Sequence, residues 1–295
     1  MVAKLMSAEA AIDAIDDGAV IGLQAGPTQC APMSLVRGLI RSKCRDLHLV
    51  SLSGSIALDW LAAAGSLSRV TFAAATMEAY GTCRQFRRGV ESGAIAAEEL
   101  SETALLARLG AAARGLPFLP TRGMLGTDLL RVGNPALQVI DDPFGGPPVV
   151  ACRALRCDVA ILHAHRADTY GNVAVDPGPR QPMTTLLPRA ADRVIVSAEE
   201  IVETDRLREQ PGDTILPGFA VDAVVEARHG AHPTSLFPAY DYDAAFFQDW
   251  GEASGQHATA AEFLARYVTE HGSHDDYLSL IGAERLAALE IGRAS

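Results

Sequence analysis

Long hydrophobic runs are missing from this sequence: no stretch reaches the roughly 18–20 apolar residues that a membrane-spanning helix needs. The opening residues carry Lys4 and Glu9 and show neither an apolar core nor a signal-cleavage pattern, so no targeting segment is expected. Cysteine is scarce and odd in number; Cys30, Cys44, Cys83, Cys152 and Cys157 are scattered in a way that builds no disulfide framework. These absences are read together as a reduced, cytoplasmic protein with no membrane partner. Positive charge is also short: 25 Lys and Arg stand against 36 Asp and Glu, a net charge of −11. That balance repels phosphate backbones and speaks against nucleic acid. The densest basic run, Arg84-Gln85-Phe86-Arg87-Arg88, is too short for a nucleic-acid surface and is read as a solvated helix face. No G-x-G-x-x-G and no G-x-x-x-x-G-K-[ST] occurs, which removes the main support for a dinucleotide or P-loop site.

What is present is a regular alternation of two periodicities. Residues 7–17 place Ala8, Ala11, Ile12 and Ile15 at helical spacing behind Ser7 as a cap. A short apolar strand, 19–23, then runs into the turn 24–29, and Leu35, Val36, Leu39 and Ile40 return to helical spacing. Strand 47–52, helix 56–64, strand 69–75 and a helix near 84–91 follow, with further strands expected at 137–141, 149–151, 158–164 and 193–197. Strands alternating with helices over short connections predict an α/β fold: an open, mainly parallel sheet with helices on both faces. The Pro- and Gly-rich stretch 133–148 interrupts the pattern without a linker signature. Residues 1–295 are therefore read as a single domain with a C-terminal helical extension from Ala258.

Ligands of such sheets settle at the carboxyl ends of the strands. This places the turn 22–29 and the loops 53–55 and 75–82 on one rim. Gly22 and Gly26 would let backbone N–H groups approach an acyl oxygen or a phosphate, or would merely permit a sharp turn. Ser53 and Gly54 lie in the second loop, outside any G-x-S-x-G elbow. Cys152, Cys157, His163 and His165 invite a zinc reading, but structural zinc sites pair cysteines on a tight turn, whereas Cys157 opens an apolar strand. No metal is expected. Asp241 and Asp243 flank Tyr242 and are explained as loop carboxylates. Glu102 stands at the entry to a helix spanning 104–113, where the dipole stabilises a carboxylate.

Longer phrases carry more. Leu216-Pro217-Gly218-Phe219 leads through Val224-Val225-Glu226 into His229-Gly230-Ala231-His232-Pro233, followed by Tyr240-Asp241-Tyr242-Asp243. Together they resemble the C-terminal signature of glutaconate CoA-transferase-like α subunits, of family I coenzyme A-transferases. The runs 116–123, 158–173 and 192–202 resemble the same family in the same order, over nearly the whole chain. The resemblance implies an α subunit that moves coenzyme A between an acyl-CoA and a carboxylic acid. A β subunit would supply the glutamate that becomes a glutamyl-CoA thioester, a case of covalent catalysis. The acyl-CoA thioester is then a substrate, and no cofactor is bound permanently.

Two departures from the family matter. Where this chain has Glu102 the glutaconate enzyme carries Gln, whereas a related steroid-ring-cleaving CoA hydrolase carries Glu. A Gln can only hydrogen-bond an acyl oxygen, while a Glu can also move a proton. The loop between Arg69 and Arg84 is shorter than in the glutaconate enzyme, leaving Thr76 nearest to a pocket-lining serine. Glu102 is thus the candidate catalytic residue, and Gly22, Gly26, Ser53, Gly54 and Thr76 are the candidate substrate-binding residues. Two other readings stand beside transfer: a ring-cleaving CoA hydrolase subunit with Glu102 central, and a noncatalytic binding or scaffold subunit. The metal reading has a direct test. Elemental analysis of the purified chain is expected to find no stoichiometric zinc, and zinc that disappears in Cys157→Ser would contradict the expectation.

Overall fold

The computed structural model describes residues 2–177 and 182–291. Twelve strands appear among them: β1 (Val20–Leu23), β2 (Leu47–Gly54), β3 (Leu67–Ala75), β4 (Ala96–Glu99), β5 (Phe118–Thr121), β6 (Leu137–Ile140), β7 (Val149–Arg153), β8 (Cys157–Ala167), β9 (Val173–Ala174), β10 (Ala191–Ile201), β11 (Thr214–Leu216) and β12 (Ala223–Glu226). The larger helices are α1 (Ala8–Ile12), α2 (Met33–Ser42), α3 (Ile56–Ala63), α4 (Arg84–Glu91) and α5 (Glu102–Ala113). Three short ones, α6 (Asp128–Arg131), α7 (Pro182–Leu186) and α8 (Thr204–Arg208), precede α9 (Ala244–Ala253), α10 (His257–Leu264), α11 (His274–Ile281) and α12 (Ala283–Leu289).

The spine of the main sheet is β4-β3-β2-β1-β8-β10-β12, with every neighbouring pair parallel. The chain winds outward from β1 to β4, then returns to the other side of β1 and winds outward again through β8, β10 and β12. Successive residues bury opposite faces. Ile21, Leu49, Ile161 and Ile195 join one apolar cluster. Val50, Ala160, Leu162, Val194 and Val196 join the other. Strands covered on both sides read as continuous apolar runs, which is why these segments are legible in the sequence. One face is covered by α2, α3 and the aromatic side chains Phe246 and Trp250 of α9, the other by α5 and Leu187.

Three expectations need correction. The strands near 137–141 and 149–151 do not extend the main sheet; β6 and β7 join β5 in a separate antiparallel sheet of order β5-β7-β6. The first helix ends early, at Ile12, where Asp13 serves as C-cap. The C-terminal helices begin at Ala244, because Asp243 caps α9 by accepting from Phe246 N–H at 2.9 Å.

The basic run, expected to be a solvated face, is one only in part. Arg87 pairs with Glu91 at the surface, but Arg84 and Arg88 donate to the carbonyls of Gly251 and Gly255, each at 3.0 Å. Cys83 cannot cap α4 with a hydroxyl or carboxylate, and a tertiary partner does so instead. The buried Asp59 of α3 accepts from Gln85 N–H at 2.7 Å and Phe86 N–H at 2.9 Å, and also from the Trp250 indole at 3.0 Å. One carboxylate thereby joins α3, α4 and α9.

Gly54 shows how tightly α3 sits on β2. A Cβ there would lie 2.3 Å from Leu58 Cδ2 and 3.1 Å from Leu58 Cβ. Gly54→Ala is expected to destabilise the fold by about 1–3 kcal/mol through overpacking. Thermal unfolding measures it, and an unchanged midpoint would show that α3 yields freely.

Candidate active site

Because the seven spine strands are parallel, the turns that follow them emerge along one rim. Ser53 lies opposite Ala74 in the register, Gly54 lies opposite Ala75, and Thr76 N–H donates to Gly54 C=O at 3.0 Å. Ser53, Gly54 and Thr76 are therefore neighbours. Ser55 Oγ donates to Pro27 C=O and joins this loop to the turn after β1. Beyond β3, pairing with β4 continues to Leu100, whose N–H donates to Phe72 C=O at 2.9 Å. Ser101 then caps α5 by accepting from Ala104 N–H at 3.2 Å.

Glu102 follows as the first residue of α5, exposed, with no hydrogen-bond or ion-pair partner among the described residues. It does not cap the helix. Two strand spacings, about 10 Å, separate the β2 and β4 ends of the rim. Ser53 Oγ is buried and has no hydrogen-bond partner among the described residues.

The glycines divide from the polar residues. Gly22 lies inside β1 and is enclosed; a Cβ there would come 2.7 Å from Leu187 Cδ2 and 3.0 Å from Cys157 Sγ. The missing side chain leaves room for Leu187 to pack on the sheet. Gly54 does the same for Leu58. Gly26 N–H is used within its own turn, on Gln29 C=O at 2.8 Å. The Thr76 hydroxyl accepts from Glu78 N–H at 3.0 Å and holds the loop that follows β3.

The other half of the rim, at the ends of β8, β10 and β12, is rich in saturated polar groups. Glu199 accepts from His163 Nε2 at 2.7 Å, the Tyr240 hydroxyl at 2.7 Å, and the N–H groups of His229 and Gly230 at 2.7 and 3.0 Å. His229 has a φ of 50°, and this left-handed kink lets consecutive N–H groups converge on one carboxylate. Burial pushes the Glu199 carboxyl up, but these donors, led by His163, outweigh it and hold it at about 2. Burial and the nearby Glu199 charge push the Tyr240 hydroxyl well up, so it stays a donor.

His165 donates from Nε2 to Phe237 C=O at 3.1 Å and accepts Asp176 N–H on Nδ1 at 3.2 Å, and burial lowers its pKa, so it is neutral. A cavity of about 660 Å³ opens here, lined by His165, Arg166, Asp176, Glu200 and Arg206. It does not include Glu102, Ser53 or Thr76.

The suspected zinc ligands disperse. Cys152 belongs to the small sheet, Cys157 packs beneath Gly22, His163 is committed to Ser197 and Glu199, and His165 to backbone. Among the described residues no group of three or more His, Cys, Asp or Glu could hold a metal ion. Burial pushes the thiols of Cys30, Cys83, Cys152 and Cys157 up, the last to about 12, which disfavours thiolates. Asp243 accepts from Arg285 through two nitrogens, at 2.6 and 2.8 Å, and bonds His232 at 3.1 Å. It is structural.

Sequence reasoning missed the residue that fills the reversal between β1 and β8. Gln24 is buried; its Oε1 accepts from His163 N–H at 2.9 Å and its Nε2 donates to Thr184 Oγ1 at 2.9 Å. Its partners lie 139 and 160 residues away, so no local signal marks it.

With this geometry in view, the comparisons with known proteins decide the class. The coenzyme A transferase family model matches residues 5–227. One of the subunits of glutaconate CoA-transferase from Acidaminococcus fermentans is 31% identical over 94% of this chain and 91% of its own length. The crystal structure of that enzyme superposes with a TM-score of 0.92 at 30% identity, covering 98% of this chain and 96% of that one. The cholesterol ring-cleaving hydrolase IpdA subunit of Mycobacterium tuberculosis is 32% identical over 96% of this chain and 99% of its own length. An uncharacterized protein of Archaeoglobus fulgidus is 35% identical over 97% of this chain, which spans 64% of that relative's length. The chain belongs to the coenzyme A transferase family. Among the described residues no helix is long and apolar enough to cross a membrane.

The buried carboxylates make an acid-range prediction. Glu199 and Glu98 are both held at about 2, below their ordinary value of 4.5. Their stabilisation is complete above pH ~4.5 and is lost as pH falls towards ~2. For Glu199 the loss is on the order of 3 kcal/mol. Denaturant unfolding from pH 6 to 2.5 should show stability falling steeply below 4.5, with a shallower fall in Glu199→Gln. Parallel curves for the two proteins would remove Glu199 from this role.

Proposed function

We propose that this chain is the α subunit of an enzyme that moves coenzyme A between an acyl-CoA and a carboxylic acid, and that a β subunit supplies the nucleophilic glutamate. The observation that carries the reading is the correspondence with glutaconate CoA-transferase along nearly the whole chain; Glu102 adds an exposed carboxylate, unpartnered among the described residues, on the rim of a chain whose enclosed carboxylates are occupied. Glu98, Glu199 and Asp243 are each held by several donors. An acyl-transfer site needs a pocket that excludes water. Glu102 has none in this chain alone, and a partner docked on the rim would provide one.

In the proposed reaction the partner's carboxylate attacks the thioester carbonyl and expels the CoA thiolate, leaving a mixed anhydride. The thiolate then attacks the partner's own carbonyl, releases the acyl group as a carboxylate and leaves an enzyme–CoA thioester. An acceptor carboxylate reverses both steps. Charge develops on the acyl oxygen at each addition. Donors already aimed at that oxygen stabilise it most, and we assign the Ser53 hydroxyl, buried without a partner, to this task. Thr76 shapes the same loop. Gly22 and Gly54 serve by allowing α3 and Leu187 to pack closely beneath it.

A second reading has a specific ground. Glu at position 102, together with 32% identity to a ring-cleaving hydrolase subunit, fits an enzyme that activates water. Steady-state rates and pH profiles of the complex with its β partner separate the two. The isolated chain is expected to be inactive, and turnover by it alone would contradict the partnership. In the complex, Glu102→Ala is expected to lower kcat with little change in the unfolding midpoint. Glu102→Gln should keep much of the activity if Glu102 orients the acyl oxygen during transfer. It should lose about 10²–10⁴-fold if Glu102 moves a proton, as hydrolysis requires. Both variants at wild-type rates would show that Glu102 has no active-site role.

A further inference from the structure

The segment that carries Glu102 is fixed from below by a buried polar cluster between the main sheet and α5. Glu98, on β4, is 9% exposed, and Arg108, on α5, is 4% exposed. Arg108 NH1 donates to Glu98 Oε1 at 2.5 Å. Asn134 Nδ2 donates to the same oxygen at 2.7 Å. The other oxygen, Oε2, accepts from Thr71 Oγ1 at 2.7 Å and from Arg69 at 3.2 Å. Thr71 Oγ1 in turn accepts from His48 Nε2 at 2.8 Å. Arg108 also donates from Nε to Arg153 C=O at 3.1 Å, on β7 of the small sheet. One ion pair therefore joins β3, β4, α5 and the second sheet.

The pair is separated by ten residues, and Glu102 lies between its members. Side chain and backbone form a closed ring: up β4 to the Ser101 cap, along the first turns of α5, and back through Arg108 to Glu98. The apolar contacts of Leu105 and Leu109 hold α5 on the sheet but do not fix its position along its own axis, because apolar contact is non-directional. A buried ion pair with directional hydrogen bonds does. Burial pushes the Glu98 carboxyl up, but Thr71, Arg108, Asn134 and Arg69 bring it down to about 2, so it stays ionised and the ring stays closed at physiological pH.

We infer that Glu98 is a positioning residue for Glu102, acting through Arg108 to set where α5 presents that carboxylate on the rim. The inference rests on the reading of Glu102 given above. Displacement of a reacting group by about 1 Å costs on the order of 10²-fold in rate, which is the scale on which a loosened α5 should be felt.

The test is a double-mutant cycle in the complex with the β partner. A panel of thioesters from acetyl-CoA to glutaryl-CoA is screened first, and the one turned over fastest is used throughout. Glu98→Gln is expected to lower kcat by about 10–10²-fold with a smaller change in KM. In the Glu102→Ala background the same substitution should change kcat by less than about 2-fold, because there is no longer a polar group at 102 to misplace. A merely structural role would lower kcat by the same factor in both backgrounds, and that result overturns the inference. So does an unchanged kcat for Glu98→Gln alone. Should Glu98→Gln fail to fold, Thr71→Val removes one donor, keeps the ion pair, and should show the same dependence on Glu102 at smaller amplitude; equal effects in both backgrounds again overturn it. If Glu102→Ala alone runs at the wild-type rate, the reading of Glu102 fails and takes this inference with it. A slow Glu102→Ala with additive effects defeats the inference alone.

Discussion

Parallel pairing is the constraint from which the rest of this structure follows. A parallel strand must be left at its carboxyl end and re-entered from the opposite edge, so each crossover needs a helix to cover the sheet. Seven consecutive parallel neighbours thus gather every strand-ending turn on one rim and bury both sheet faces. The reversal of winding between β1 and β8 splays the two strands, and crevices of this kind receive ligands in open α/β sheets. Here Gln24 bridges the splay by hydrogen-bonding His163 N–H, a group the diverging β1 backbone no longer reaches.

The disposition of charge supports the same division of labour. An enclosed carboxylate surrounded by donors is a poor nucleophile and a poor base, because attack or proton uptake must break those bonds. Glu98, Glu199 and Asp243 are in that state, and each joins elements distant in sequence. Burial pushes the thiols of Cys83 and Cys157 up and disfavours their thiolates. Glu102 and the Ser53 hydroxyl differ from these groups: the first is exposed and the second buried, and neither has a side-chain partner among the described residues. In the proposed function such a surface would be half of an acyl-transfer site, orienting and polarising the acyl group while the partner forms the covalent intermediate.

Much of this is legible in sequence, and the parts that are not have physical reasons. The apolar runs of β2, β8 and β10 declare themselves because both faces are buried. The strands β6 and β7 can be seen but not placed in the right sheet, since a strand's own residues do not say which neighbour it pairs with. The leucines packed against Gly22 and Gly54 are not legible, because the absence of a side chain looks the same whatever fills the space. Glu102 stands out only through the family resemblance; its neighbour Glu98 does not stand out at all. Glu199, Gln24 and Asp59 depend on partners from 26 to 191 residues away, fixed by topology rather than by any local spacing.

The central claim is that this chain forms the wall of an acyl-transfer site whose nucleophile belongs to its partner. Peptide mapping by mass spectrometry tests it most directly, on the complex of this chain with its β subunit, quenched during turnover of an acyl-CoA. The account predicts a CoA thioester on a glutamate of the partner and no adduct on this chain. An adduct on any carboxylate of this chain, Glu102 included, would contradict it, as would turnover with no adduct on either chain.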